Sequence, residues 1–414
     1  MKYAVITFGC RVNQADSLHL EEQLAVRGAR SAPPEAADLV IVNTCSVTAS
    51  ADQGARQTIR RVARMNPRVK IVATGCYATR CADDVAALPN VLHVVRNDDK
   101  DRLLDNLLLG GDGPCGAPLE PGVAGRTAWT LRVQTGCDER CSYCIIPTTR
   151  GRGRSTPLDR ILDEVERVIQ AGFKEIAVTG VHLGSYGRDL TPASSLHELL
   201  AALADVDDDV LFRVSSLEPM DCTPAIVELV VDSPRLAPHF HLPLQHASDR
   251  ILEAMQRPYT AAFYATLAES IRVKLPHAAI GSDVIVGFPG ETDEDFAELE
   301  RYLESSPLTH VHVFPYSDRP GTRASMLDGK VPGPVVRQRG QRIREVGVAL
   351  AARFRASQSG SVRRGLTLED GTLVVTDNYL KARIASGLPR NVWTELAIPP
   401  DEAKASCHPL APIA

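Results

Sequence analysis

Among the ten cysteines of this 414-residue chain, three stand close together: Cys137, Cys141 and Cys144, in the stretch TGCDERCSYCIIPTTRGRGR. A chain this long buries its own cores without a disulfide framework, so metal binding or catalysis is the first reading of its thiols. Structural zinc prefers four protein ligands, usually as two separated pairs, and a ferredoxin-type run adds a further cysteine and a proline. Three thiolates on a cubane iron–sulfur cluster instead leave one iron without a protein ligand, open to a cofactor. Such an iron suits radical chemistry with S-adenosylmethionine.

Three more cysteines have a different setting. Cys10, Cys45 and Cys76 each end an apolar run, KYAVITFGC, DLVIVNTC and KIVATGC, and each run precedes a segment of helical period. The pattern predicts parallel strands in βα units, and ligands of an open parallel sheet gather outside the carboxyl ends of its strands. The three side chains are therefore expected at one sheet edge. The segment Gly110–Arg126 is rich in glycine and proline and reads as a linker. Beyond it, WTLRVQT, KEIAVTG, VLFRVSS, HFHLPL, AIGSDVIVG and THVHVFPY alternate with helical segments. Six such units predict a partial (βα)6 barrel with its chemistry at the strand C-termini. A helix over 334–357 and a small β-domain hinged on a Glu-Asp-Gly turn complete the chain.

The α/β organisation expected is an N-terminal domain over 1–112, a linker over 113–127, a barrel over 128–355 and a β-domain over 356–414. A net charge of −5 and a pI near 6.1 exclude wholesale coating of nucleic acid. Between positions 331 and 390, however, eleven basic residues face four acidic ones, a local surface suited to RNA. No apolar run reaches membrane-span length and the N-terminus lacks a secretory pattern, so a cytoplasmic protein without membrane contact is expected.

The motifs NTCSVTASADQGARQTIRR, TGCDERCSYCIIPTTRGRGRS, HLPLQHASDRILEAMQRPY and DVIVGFPGETDEDF, in this order, resemble the radical SAM methylthiotransferases that act on tRNA or a ribosomal protein. The resemblance runs from Met1 to about Arg355, and the tail resembles a short TRAM domain. It implies two [4Fe–4S] clusters, one on Cys137, Cys141 and Cys144 and an auxiliary one on Cys10, Cys45 and Cys76. The resemblance further implies S-adenosylmethionine both as radical source and as methyl donor, with unidentified electron and sulfur donors as partners. Tyr143 and the strand-end residues Thr179, Gly180, Ser216, Glu218 and Gly287 are the expected cofactor contacts; ordinary strand-to-helix turns are the alternative for the strand ends.

Arg150, Arg152, Arg154, Arg363 and Arg364 are the expected phosphate contacts, with a solvated loop as the alternative for the first three. Where many relatives carry Ser-Gly, this chain has His246-Ala247, and a structural histidine is expected there. Gly153 stands where the family often has Glu. Cys81, Cys115, Cys222 and Cys407 match no family cysteine and read as free thiols or packing residues.

GVHLGSYG and VHVFPYSDRPGT are most similar to the branch that modifies N6-threonylcarbamoyladenosine beside the tRNA anticodon. Within the same chemistry, isopentenyladenosine in tRNA and an aspartate of a small-subunit ribosomal protein are the alternatives. A non-catalytic iron–sulfur protein, binding RNA or passing electrons, is the alternative of another class, and the two cysteine triads speak against it.

Overall fold

The computed structural model describes residues 1–105, 120–121, 127–368, 370–384, 387–399 and 407–409. All of Cys115, the side chain of Cys407 and most of the expected linker lie outside them. Contacts divide the chain into two compact units. The first joins 1–119 with 134–154 and 317–325, and the second holds the remainder.

In the first unit, β1 (Lys2–Thr7), β2 (Arg30–Ser31), β3 (Leu39–Thr44), β4 (Lys70–Gly75) and β5 (Val91–Val95) form one parallel sheet in the order β2-β1-β3-β4-β5. Alternation along β3 sends side chains to both faces. Val40 and Val42 pack with Ala55, Ile59 and Val62 of helix α2 (Ala49–Met65), whereas Leu39 and Ile41 pack with Leu20 and Leu24 of helix α1 (Arg11–Val26). Both faces are thus covered, as an all-parallel sheet requires. Thr48 caps α2 by accepting from the Ala51 N–H. The crossover from β4 enters the short helices α3 (Cys76–Arg80) and α4 (Ala82–Ala86).

The six strand-like runs after position 128 all form strands, with helices between them. Those in the second unit are β6 (Trp129–Arg132), followed after the two-residue pieces β7 (Gln134–Thr135) and β8 (Arg154–Ser155) by β9 (Glu175–Thr179), β10 (Leu211–Val214), β11 (His239–His241), β12 (Ala279–Val286) and β13 (His310–Pro315). Parallel pairing runs β6-β9-β10 and β11-β12-β13, and parallel bridges Phe212–Leu236 and Ser216–His241 connect the two halves. This is an open six-stranded βα barrel. Capping boxes at Ser195/Glu198 and Thr292/Asp295 start two of its helices.

The expected C-terminal helix spans Gly333–Ser357. After it, β14 (Val362–Leu368), β15 (Leu373–Thr376), β16 (Lys381–Arg383), β17 (Trp393–Ala397) and β18 (Cys407–Pro409) form an antiparallel sheet in the order β16-β15-β14-β17-β18. Its Val374, Leu380 and Ala382 pack with Ala279, and its Leu366 and Trp393 pack with Leu211. Ala279 and Leu211 begin their strands, so the sheet covers the N-terminal end of the barrel and leaves the strand C-termini uncovered by it. Arg213 fastens the two layers: 1% exposed, it pairs with Glu175 at 2.9 Å and donates to the Asp377 carbonyl. Losing either partner would strand a buried charge, a cost of about 3–5 kcal/mol.

Candidate iron–sulfur and cofactor site

β1, β3 and β4 are neighbours in register, with Thr7 opposite Asn43 and Thr44 opposite Gly75. Cys45 and Cys76 directly follow Thr44 and Gly75, and Cys10 caps α1 three residues beyond Thr7. The three thiols therefore leave the sheet at its carboxyl edge, as the sequence predicts. Two glycines make room for them. Gly9 has φ +92° and a Cβ there would stand 2.5 Å from the Cys45 Sγ; Gly75 has φ +94° and a Cβ would stand 2.2 Å from the Thr44 oxygen. Only a residue without a side chain holds that conformation at that distance.

Burial pushes the Cys45 thiol up to about 11, with the adjacent Cys10 and Cys76 adding to the effect and Arg150 opposing it. Cys45 and Cys76 are buried and Cys10 is exposed; a buried thiol ionises readily only where positive charge is supplied, which is what a metal centre does when it displaces the proton.

The second triad sits in the same unit. Its loop is closed by its own backbone: the Cys137 N–H donates to the Gly151 oxygen, the Cys144 N–H to the Cys141 oxygen, and the Glu139 N–H approaches the Cys137 Sγ at 3.4 Å. Asp138 accepts from the Gly153 N–H at 3.1 Å and lies 3.5 Å from Arg152, so the loop pairs internally without a glutamate at 153. From outside the loop, the Ala324 N–H donates to the Ser142 oxygen. All three cysteines remain partly exposed and free of disulfides, a donor set of three soft ligands on a constrained loop that fits a cluster with one open iron.

The arginines after the loop divide sharply. Arg152 and Arg154 are exposed, the latter 3.3 Å from Asp98. Arg150 is not the phosphate contact expected of it. It is 2% exposed, its guanidinium bonding Asn13 at 2.5 Å, Asp16 at 3.0 Å and the Thr135 hydroxyl at 3.1 Å. Arg363 and Arg364 also depart from expectation. Arg363 pairs with Asp377 at 2.6 Å, and Arg364 pairs with Asp209 while stacking 3.9 Å over the Trp393 ring. Both lie in β14 within the barrel-covering sheet, where they serve packing.

In the second unit, Thr179 ends β9, Ser216 follows β10 and Gly287 follows β12, so the expected contacts Thr179, Gly180, Ser216, Glu218 and Gly287 share the carboxyl end of the barrel. Glu218 is half-buried and paired with the buried Arg257; desolvation raises its carboxyl and Arg257 opposes that. Glu291 shapes the Gly287 turn by accepting from the Gly287 and Phe288 N–H groups while pairing with Arg339 at 2.8 Å. His246 is fully buried, pushed down to about 4 by burial, and accepts from the Ser248 N–H, which is the structural role expected of it. Burial pushes the Cys222 thiol up to about 12, an inert packing residue.

One set went unnoticed in the sequence. His241, Asp283 and His312 lie side by side on β11, β12 and β13, His241 at 3.0 Å and His312 at 3.2 Å from the same Asp283 oxygen. The signal was the His-x-His pattern in HFH and HVH. Both imidazoles bond Asp283, which is thereby held below the usual carboxylate range despite burial.

Residues 2–96 match a family model described as the uncharacterised protein family UPF0004, and residues 131–303 match the radical SAM superfamily model. The chain is 37% identical to the threonylcarbamoyladenosine tRNA methylthiotransferase MtaB of Aquifex aeolicus, over 92% of this chain and 96% of the relative. It is 36% identical to the protein of that name from Thermotoga maritima, over 90% and 88%. Identity is 33% to the tRNA-2-methylthio-N(6)-dimethylallyladenosine synthase of Carboxydothermus hydrogenoformans, over 87% and 86%. Among solved structures, the radical S-adenosylmethionine methyltransferase TsrM from Kitasatospora setae, with cobalamin and a [4Fe-4S] cluster bound, superposes with TM-score 0.56 at 14% identity, over 78% of this chain and 77% of that one. That likeness speaks for the fold.

Proposed function

We propose, since the chain belongs to the radical SAM methylthiotransferase family, that it adds a methylthio group to carbon 2 of N6-threonylcarbamoyladenosine 37 in tRNA. The observation that carries this reading is likeness to threonylcarbamoyladenosine tRNA methylthiotransferases along nine-tenths of the chain, joined to six cysteines on two constrained supports. A hydrogen on an adenine ring carbon gives acid–base residues little to act on, and two [4Fe–4S] clusters with S-adenosylmethionine supply the one-electron chemistry it needs.

In this reading Cys137, Cys141 and Cys144 hold the radical-generating cluster, leaving one iron for the cofactor. Tyr143, Thr179, Gly180, Ser216, Glu218 and Gly287 contact the cofactor. Cys10, Cys45 and Cys76 hold the auxiliary cluster. The anticodon stem-loop is the RNA element engaged, and the cytoplasm is where the enzyme meets it. No helix among the described residues is long and apolar enough to cross a membrane.

Arg152 and Arg154 meet tRNA phosphates. Neutralising both is expected to make the dependence of log affinity on log salt shallower by about two units, one per phosphate contact. Neutralising Arg363 and Arg364 is expected to leave that slope unchanged. Binding measured across a salt series decides, and an unaltered slope in the Arg152/Arg154 variant removes those residues from the footprint.

Nucleoside mass spectrometry of tRNA from cells with and without the gene tests the activity. Loss of the methylthio group from threonylcarbamoyladenosine alone is expected. Loss from isopentenyladenosine instead moves the chain to the neighbouring branch, and an intact tRNA profile refutes a tRNA substrate.

A further inference from the structure

The buried charges beneath the Cys10, Cys45 and Cys76 edge are unequal. Arg150 and Lys100 share one carboxylate, Asp16: the arginine lies 3.0 Å and the lysine 2.8 Å from the same oxygen, and all three side chains are at most 3% exposed. Lys100 also donates to Asn43 at 3.1 Å, and Arg150 to Asn13 at 2.5 Å. Both asparagines are neutral, so among the described residues the Arg150 guanidinium, which stays charged, shares its one carboxylate with Lys100, whose ammonium burial pushes down. Buried charge without a counter-charge is strongly unfavourable. The network therefore calls for a further negative group beside it.

Its position indicates which. Asn13, on which Arg150 rests, donates to the carbonyl oxygens of Phe8 and Thr44, the residues flanking the Cys10 and Cys45 turns. Asn97 donates to the Thr149 oxygen at 2.8 Å and stands 3.6 Å from the Cys76 Sγ. Thr149 and Arg150 close helix α5 (Ile146–Arg150), directly after Cys144. The Arg150 Nε is buried and has no hydrogen-bond partner among the described residues. The helix that follows the radical loop thus brings a cation, and fixes an amide donor, at the other cysteine triad.

We propose that Arg150 is the counter-charge of the auxiliary cluster, a positioning and potential-setting residue supplied by the chain segment that carries the radical triad. The inference rests on the assignment of a cluster to Cys10, Cys45 and Cys76. Positive charge beside a cluster favours its reduced form, since reduction adds an electron. Arg150→Met should therefore make the auxiliary cluster harder to reduce, Arg150→Lys should restore most of the difference, and Asp16→Asn, which removes the competing anion, should make reduction easier.

The experiment is an anaerobic redox titration of the full-length protein with both clusters loaded, followed by electron paramagnetic resonance. Addition of S-adenosylmethionine identifies the radical cluster by its altered signal. For Arg150→Met we expect the ratio of reduced to oxidised auxiliary cluster, at the wild-type midpoint, to fall about tenfold, equivalent to about 59 mV for a one-electron couple. Opposite shifts in Arg150→Met and Asp16→Asn support the proposal, because general loosening of the site would not change sign with the charge removed. Should Arg150→Met not retain its cluster, the Asp16→Asn shift decides alone. An unchanged potential, or shifts in one direction for both variants, overturns it. Iron and sulfide sufficient for a single cluster in the wild-type protein would instead overturn the two-cluster assignment on which it stands.

Discussion

Cys137→Ala is expected to abolish reductive cleavage of S-adenosylmethionine. The loop from Cys137 to Cys144 offers three thiols and is closed by the Cys137 N–H to Gly151 and Cys144 N–H to Cys141 bonds. Three thiolates are the whole protein ligation of the cluster in the proposed reading, so removing one leaves a second iron without its ligand. Loss of even an outer partner of a metal ligand costs 10–100-fold in metal affinity or activity, so loss of a direct ligand should exceed about 100-fold. The measurement is 5′-deoxyadenosine release by the reconstituted variant under reducing conditions. Undiminished release would remove Cys137 from the cluster.

Cys10→Ala should separate two activities that fail together in the first variant. Cys10 caps α1 at the sheet edge and has no part in the hydrogen bonds that close the radical loop. Cleavage of the cofactor should persist, within a few-fold of wild type, while methylthio product falls below detection, because the auxiliary cluster is needed only for sulfur delivery. The readouts are 5′-deoxyadenosine and modified nucleoside from the same reaction. Normal methylthio product would contradict a role for the N-terminal triad; parallel loss of both would make its cysteines structural supports of the radical loop.

The convergence of Cys10, Cys45 and Cys76 was legible because it depends only on local pattern. Each ends an apolar strand, and parallel strands place their carboxyl ends together whatever the loops between them do. The six barrel strands were legible for the same reason. Arg150 was not. In TTRGRGR it is indistinguishable from Arg152 and Arg154, and its burial follows from Asn13 and Asp16, more than a hundred positions away. Arg363 and Arg364 misled similarly: a basic pair in a strand reads as an RNA surface until Asp377 and Asp209 are seen opposite them. Charge composition reports how many arginines there are, while tertiary pairing decides which are available. His241, Asp283 and His312 likewise become one group only when β11, β12 and β13 are paired.

Product analysis with the purified, cluster-loaded chain tests the central claim most directly. Given S-adenosylmethionine, a reductant, a sulfur source and tRNA bearing N6-threonylcarbamoyladenosine, the chain is expected to yield the 2-methylthio nucleoside, and to leave tRNA bearing isopentenyladenosine unmodified. Modification of isopentenyladenosine with threonylcarbamoyladenosine untouched would contradict the assignment.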